Sequence, residues 1–160
     1  MVRIGFGTDS HRFDETSKKP LILGGVQISE RGGLAANSDG DVLLHALFNA
    51  LSQASGGHSL GHYADPLFEK GITNSAEYLK VALRMVREIG YRVHNIGIMV
   101  EAAKPCISLE AIQSMKRSIA ELTGVDERDV GITFTSGEGL TSFGQGEGML
   151  AQAVVSLLKQ

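Results

Sequence analysis

Three segments with helical periodicity, separated by short strand-like runs, limit this chain to folds that pack helices against a sheet. The clearest helix is predicted over residues 41–54, where apolar side chains recur three or four positions apart. Two more helices are predicted, one from the capping residue Asn74 to Gly90 and one from Ser108 to Gly124. Because helices and strands are mixed within 160 residues, the sequence predicts an α+β or α/β sandwich with helices on one sheet face.

The strand-like runs carry valine or isoleucine and are bounded by glycine or polar residues. They cover residues 2–7, 20–28, 91–103 and 130–136. The tail at 149–159 fits a helix or a strand equally well, because neither periodicity nor propensity decides between them. Residues 55–72 show no periodicity and contain an Asp-Pro turn signal, so a loop is predicted there.

The chain is expected to form one domain over residues 1–160, because it has no repeat, no low-complexity segment and no internal boundary. Helices on one face of a sheet leave the other face to be covered. Self-association is one way to cover it, and a second packed layer within a monomer is another. The sequence alone leaves both arrangements open.

Charge and cysteine content exclude several classes of protein. The net charge of −3 and the absence of a lysine and arginine cluster argue against binding to nucleic acid or a membrane surface. No apolar run reaches the 18 or more residues of a membrane span, and no secretory signal is recognised. The single cysteine, Cys106, cannot form an internal disulfide and fits a reducing compartment, so a cytoplasmic protein is expected.

The stretch GTDSH near the amino terminus places two potential metal ligands two residues apart. In an extended segment Asp9 and His11 point to the same face, while Ser10 points to the other. With His45 on the first helix they would form a three-ligand zinc set whose fourth position is open. In the alternative interpretation Asp9 begins a turn, His11 is a solvated loop residue, and His45 is hydrogen-bonded to Asp41 without any metal.

A late glycine-rich loop, TSGEGLTSFGQGEG at residues 135–148, is a second candidate site. Thr135 and Ser136 offer hydroxyl groups, and the glycine amides are able to cradle a phosphate. Glu138 offers an oxygen ligand suited to Mg²⁺. The loop lacks the GK[ST] of a P-loop, and tight turns alone would also explain its glycines.

The order of the motifs is more specific than any single motif. IGFGTDSHRF, PLILGGVQI, NSDGDVLLHAL, KGITNS and TSGEGLTSFGQGEG follow one another along essentially the whole chain. In this order they closely resemble the 2-C-methyl-D-erythritol 2,4-cyclodiphosphate synthase (IspF) family of the non-mevalonate isoprenoid pathway. The resemblance implies a homotrimer around a central sheet core, with the tail as a strand lining that core and active sites between subunits. It also implies a lyase that cyclises 4-diphosphocytidyl-2-C-methyl-D-erythritol 2-phosphate and releases CMP.

Matching the motifs residue by residue implies a set of site residues. One Zn²⁺ per active site would be held by Asp9, His11 and His45, and Glu138 would help bind Mg²⁺ or Mn²⁺ at the substrate diphosphate. Asn37 and Ser136 fall on positions credited with transition-state stabilisation, and residues 102–108 resemble the stretch that contacts the cytosine. The substrate-binding positions implied by the resemblance are Asp9, Ser10, His11, Asn37, Ser38, Ser59, Asp65, Ala103, Lys104, Thr135, Ser136 and Glu138.

Several positions depart from the family pattern. Asn37 stands where the family carries a histidine, so a weaker electrostatic contribution is expected. The loop GHSLGHYADP is shorter than its family counterpart and lacks its first aspartate; Ser59, His62 or Asp65 would take over those contacts. Gln145 replaces an arginine, which argues against an anion site on the trimer axis. Two other functions stay open: a zinc-dependent phosphoesterase, and a trimer that binds nucleotide or isoprenoid with weak turnover.

Overall fold

Ten helices and strands follow one another in the computed structural model, which describes residues 1–160. The strands are β1 Val2–Arg12, β2 Leu21–Leu23, β3 Val26–Ser29, β4 Tyr91–Glu101, β5 Val130–Thr135 and β6 Gly148–Lys159. The helices are α1 Val42–Ser55, α2 Leu60–Phe68, α3 Ser75–Glu88 and α4 Leu109–Thr123. None of these helices is long and apolar enough to cross a membrane.

Four of the strands form one mixed sheet in the order β1-β6-β4-β5. β6 runs antiparallel to both β1 and β4, whereas β4 and β5 are parallel. β2 and β3 form a separate hairpin. Of the two predicted fold classes the structure is α+β, a single domain with a mixed sheet. The tail, for which a helix and a strand fit the sequence equally well, is the strand β6. Its side chains alternate between a buried face and a more exposed face of the sheet.

The helices lie on one face of the sheet, and α1 packs directly on β1 and β6. Two glycines of β1 allow this close contact. A Cβ atom added at Gly5 would lie 2.0 Å from the Ala50 carbonyl oxygen, and one at Gly7 would lie 2.2 Å from the Ala46 carbonyl oxygen. Because neither position has a side chain, β1 and α1 pack with their backbones in close contact.

The other face of the sheet carries apolar side chains that no element of the chain covers. Val2, Ile4 and Phe6 alternate along β1, and Val154 lies opposite Phe6 on β6. These four side chains are 45–69% exposed. Apolar side chains grouped in this way are typical of a surface that binds another protein chain.

The structure corrects three of the predicted elements. β1 continues past residue 7 to Arg12, and the single strand predicted at 20–28 is a hairpin that turns at Gly24 and Gly25, both with positive φ. The loop predicted at 55–72 contains α2, although Pro66 lies within that helix. Side chains of α2 at helical spacing pack against the core, and this tertiary burial outweighs the Gly and Pro signals: Leu60, Tyr63, Ala64 and Leu67.

The helix ends follow the predicted signals more closely. Asn74 caps α3 by accepting a hydrogen bond from the Ala76 amide, and Ser108 caps α4. Glu77, three residues past this cap, pairs with Lys80 at 2.6 Å. The cap of α1 is Asp41, whose carboxylate accepts the Leu44 amide.

Candidate active site

Asp9, His11 and His45 meet where the end of β1 passes the first turn of α1. The Asp9 Oδ2 atom lies 2.9 Å from His11 Nε2 and 3.0 Å from His45 Nδ1. The two ring nitrogens are 3.1 Å apart. Asp9 and His11 share one face of β1 because they are two positions apart, and His45 is four residues past the α1 cap, on the helix face that packs on β1.

These three atoms suit one divalent metal ion. Two imidazole nitrogens and one carboxylate oxygen are ligands that zinc accepts, and zinc lies about 2.0–2.1 Å from each. Neighbouring ligand atoms around a tetrahedral zinc are therefore about 3.3 Å apart, close to the separations found here. Three protein ligands leave a fourth position for water or substrate.

The electrostatics of the trio also favour a cation. Burial by itself raises the pKa of the Asp9 carboxyl. Hydrogen bonds to His11 and His45 and the charge of both rings outweigh this effect and lower the pKa to about 2. Asp9 is therefore a carboxylate across the neutral range, as a metal ligand must be.

His45 is buried and does not form the side-chain hydrogen bond to Asp41 weighed as an alternative. Its Nε2 lies 2.8 Å from Ser75 Oγ and 3.3 Å from Ser38 Oγ. The Asp41 carboxylate instead accepts the amides of Gly24, Gly25 and Leu44. Complete burial raises the pKa of Asp41 to about 6, although those hydrogen bonds oppose the shift.

An open cavity of about 300 Å³ lies above the trio, between α1 and α2. Seven residues predicted for the site line it: Asp9, His11, Asn37, Ser38, His45, Ser59 and Asp65. Asn49 and Tyr78 also line it and were not predicted, nor were the apolar residues of α2. The helical spacing of Leu60, Ala64 and Phe68 is the sequence feature from which the α2 side of the cavity could have been predicted. His62 does not line the cavity, and its ring packs against His58 and Tyr63.

The remaining predicted residues lie elsewhere in the chain. Thr135 ends β5, three strands from β1, which at about 4.8 Å per strand is about 14 Å away. Its neighbours Ser136 and Glu138 are exposed, and the Ser136 hydroxyl accepts the Glu138 amide at 3.3 Å. Ser10 points to the face opposite Asp9, because side chains alternate along β1. Ala103 and Lys104 are also outside the cavity, and Lys104 Nζ lies 5.6 Å from the centre of the Phe13 ring.

Together the fold and the site define a class of protein. This is a single α+β domain that brings one carboxylate and two imidazoles together as a candidate metal site beside an open cavity. Thr135, Ser136 and Glu138, which were also predicted for the site, lie at the opposite edge of the same sheet.

Comparison with known proteins identifies the family within that class. Residues 2–158 match the profile of the YgbB family. The 2-C-methyl-D-erythritol 2,4-cyclodiphosphate synthase of Chlamydia felis is 40% identical over 99% of this chain and 90% of its own length. The chain therefore belongs to the YgbB family, the family of the cyclodiphosphate synthases.

Solved structures agree with this assignment. The bifunctional IspDF of Campylobacter jejuni has a TM-score of 0.90 and 39% identity, covering 100% of this chain and 43% of that longer protein. The IspF of Plasmodium falciparum, solved as a CDP complex, has a TM-score of 0.83 and 29% identity over 99% of this chain and 97% of its own.

Proposed function

We infer that this chain converts 4-diphosphocytidyl-2-C-methyl-D-erythritol 2-phosphate to 2-C-methyl-D-erythritol 2,4-cyclodiphosphate and CMP. The observation that carries this inference is the trio of Asp9, His11 and His45 beside an open cavity, in a chain of the YgbB family. The proposed catalytic domain spans residues 1–160. The reaction is a step of the non-mevalonate route to isoprenoid precursors.

The substrate supplies its own nucleophile. Its 2-phosphate has a second pKa of about 6 and is largely dianionic near neutral pH, so no enzymic base is needed. An oxygen of this phosphate bonds to the β-phosphorus, and the bond from that phosphorus to the bridging oxygen breaks as CMP leaves. The barrier is the approach of two anionic groups in line, and the protein lowers it by positioning and charge neutralisation.

The chain provides metal ligands and polar groups for that task. Zn²⁺ held by Asp9, His11 and His45, with Mg²⁺ or Mn²⁺ held at the diphosphate by Glu138, would supply Lewis-acid charge neutralisation to the phosphate oxygens. Asn37 and Ser38 line the cavity next to the trio, where they donate hydrogen bonds to a phosphate. Ser59 and Asp65 on the opposite wall bind the methylerythritol hydroxyls.

The nucleotide end of the substrate is bound by a second group of residues. Thr135, Ser136 and Glu138 hold the diphosphate, Ala103 and Lys104 contact the cytosine, and Ser10 contributes from the edge of the site. The relative crystallised with CDP supports a cytidine diphosphate ligand. Within one chain, β6 and β4 lie between β1 and β5 and separate Thr135 from the metal trio by about 14 Å.

A homotrimer accounts for both the split site and the uncovered sheet. When the apolar faces of three copies pack around a common axis, Val2, Ile4, Phe6 and Val154 become a central core. Each subunit then brings its β5 edge to the metal trio of its neighbour. The active site is complete only between subunits, which explains why one chain carries its two halves apart.

The test is product identification by ³¹P NMR. With the substrate and both metals, the protein is expected to form cyclic diphosphate and CMP in equal amounts. Release of inorganic phosphate would instead identify a zinc-dependent phosphoesterase. Saturable binding without CMP release would identify a nucleotide- or isoprenoid-binding trimer.

A further inference from the structure

His45 has two ring nitrogens, and only one of them faces the other metal ligands. Nδ1 lies 3.0 Å from Asp9 Oδ2 and 3.1 Å from His11 Nε2. Nε2 points the other way, into the protein, and lies 2.8 Å from Ser75 Oγ. A neutral imidazole carries its proton on one nitrogen only, so the environment of Nε2 decides whether Nδ1 has a free lone pair.

The hydroxyl of Ser75 is committed to a second partner. Ser75 is 1% exposed, and its Oγ–H donates to Oδ1 of Asp39. A hydroxyl has one proton, so the Ser75 oxygen can only accept from Nε2. Nε2 must therefore carry the ring proton, which leaves the lone pair on Nδ1, on the side of the metal.

Asp39 is itself held in place by the backbone. Its Oδ2 accepts the Ser75 amide at 2.9 Å, and its Oδ1 accepts the Asp41 amide at 3.1 Å. Its own amide donates to the Thr73 carbonyl at 2.8 Å. The carboxylate thus joins the segment before α1 to the first turn of α3, and it holds Ser75 in one orientation.

We propose that Asp39 and Ser75 are positioning residues that fix the tautomer and ring orientation of His45 so that Nδ1 ligates the metal. The proposal rests on the proposed function only for the presence of zinc. Outer partners of this kind typically change metal affinity about 10- to 100-fold when removed. Ser38 Oγ, at 3.3 Å from Nε2 and already accepting the Gly40 amide, is the weaker partner.

Zinc affinity, measured by chelator competition on the folded full chain, tests the proposal without using turnover. Ser75→Ala and Asp39→Asn are each expected to weaken zinc binding about 10- to 100-fold. Ser52→Ala is the matched control, because Ser52 is a fully buried serine of α1 whose hydroxyl donates to the His58 carbonyl. It is expected to leave zinc affinity within about twofold of the parent. Parent-like affinity in both Ser75→Ala and Asp39→Asn overturns the proposal.

A measurement on the unmodified protein covers the case in which a variant fails to fold. Long-range ¹H–¹⁵N NMR of the zinc-loaded chain is expected to show a proton on Nε2 of His45 and none on Nδ1. A proton on Nδ1, or zinc on Nε2, overturns the proposal. If the parent binds zinc through Nδ1 but releases no CMP, the proposed function fails while this inference stands.

Discussion

Replacing Gly7 by alanine tests how the fold sets the metal site. Gly7 lies on β1 two residues before Asp9. It packs against α1, the helix that carries His45. An alanine Cβ there would lie 2.2 Å from the Ala46 carbonyl oxygen and 2.3 Å from the Ala50 amide nitrogen. Contacts with Cβ below 3.0 Å essentially do not occur in proteins. Because both opposing atoms are backbone, α1 must move away by a distance on the order of 1 Å.

Such a movement would affect both stability and metal binding. Overpacking typically costs about 1–3 kcal/mol, which for a chain of this length lowers Tm by about 2–4 °C per kcal/mol. Metal–ligand distances tolerate only about 0.2 Å, so displacement of His45 should remove zinc from protein that is still folded. The expected result is a lower Tm together with zinc well below one equivalent.

The assay combines metal analysis, circular dichroism and CMP release on freshly purified protein. Gly131→Ala is the control, because it is also a strand glycine and its Cβ would meet only the Ile96 carbonyl oxygen, at 3.8 Å. It should keep its zinc and its Tm. Gly7→Ala protein with one zinc per chain and the Tm of the parent would show that the close contact of β1 with α1 does not set the metal site.

Four further predictions follow from the site and the open sheet face. His45→Ala should lose stoichiometric zinc and CMP release together, and a variant that keeps both would show that the trio does not bind the metal. Asn37→His should leave CMP release equal or raise it, because histidine can become cationic; a large loss would mean the pocket is built around asparagine. Asp9 has a folded pKa of about 2 against 3.8 in the unfolded chain, so its stabilisation is present above pH 4 and is lost as the pH falls through 2. In chemical denaturation of the metal-free chain, the free energy of unfolding of the parent should exceed that of Asp9→Asn by on the order of 2 kcal/mol at pH 5, and this difference should shrink toward pH 2. A difference that does not change with pH would contradict this. Ile4→Lys should place a charge on the open apolar face, giving monomers by analytical ultracentrifugation that keep zinc but release no CMP, and an active monomer would argue against a site shared between subunits.

The sequence predicted the main helix and the pairing of Asp9 with His11 because both depend on local periodicity. The α1 stripe repeats at helical spacing, and Asp9 and His11 share a face through strand alternation. That His45 would meet them depended on the close packing of α1 on β1. Gly5 and Gly7 are visible in the sequence, but a glycine alone does not say which helix approaches it.

Other features depend on contacts between distant segments, and their local sequence signals were weak or pointed to a different structure. α2 was missed because its glycine and proline suggest a loop, whereas burial of Leu60 and Leu67 stabilises a helix. Ser75 was missed because a serine at a helix start normally reads as a cap, and only the fold shows its hydroxyl between His45 and Asp39. The distance between Thr135 and the metal trio follows from the strand order, which the sequence did not determine.

Zinc K-edge X-ray absorption on the zinc-loaded protein tests whether Asp9, His11 and His45 hold one zinc ion with an open fourth position. Two imidazole nitrogens and one carboxylate oxygen are expected at about 2.0–2.1 Å, with a fourth light-atom ligand that exchanges for a phosphate oxygen when substrate is added. Four protein ligands that stay unchanged on addition of substrate would mean a closed structural site and would contradict a role of this metal in the reaction.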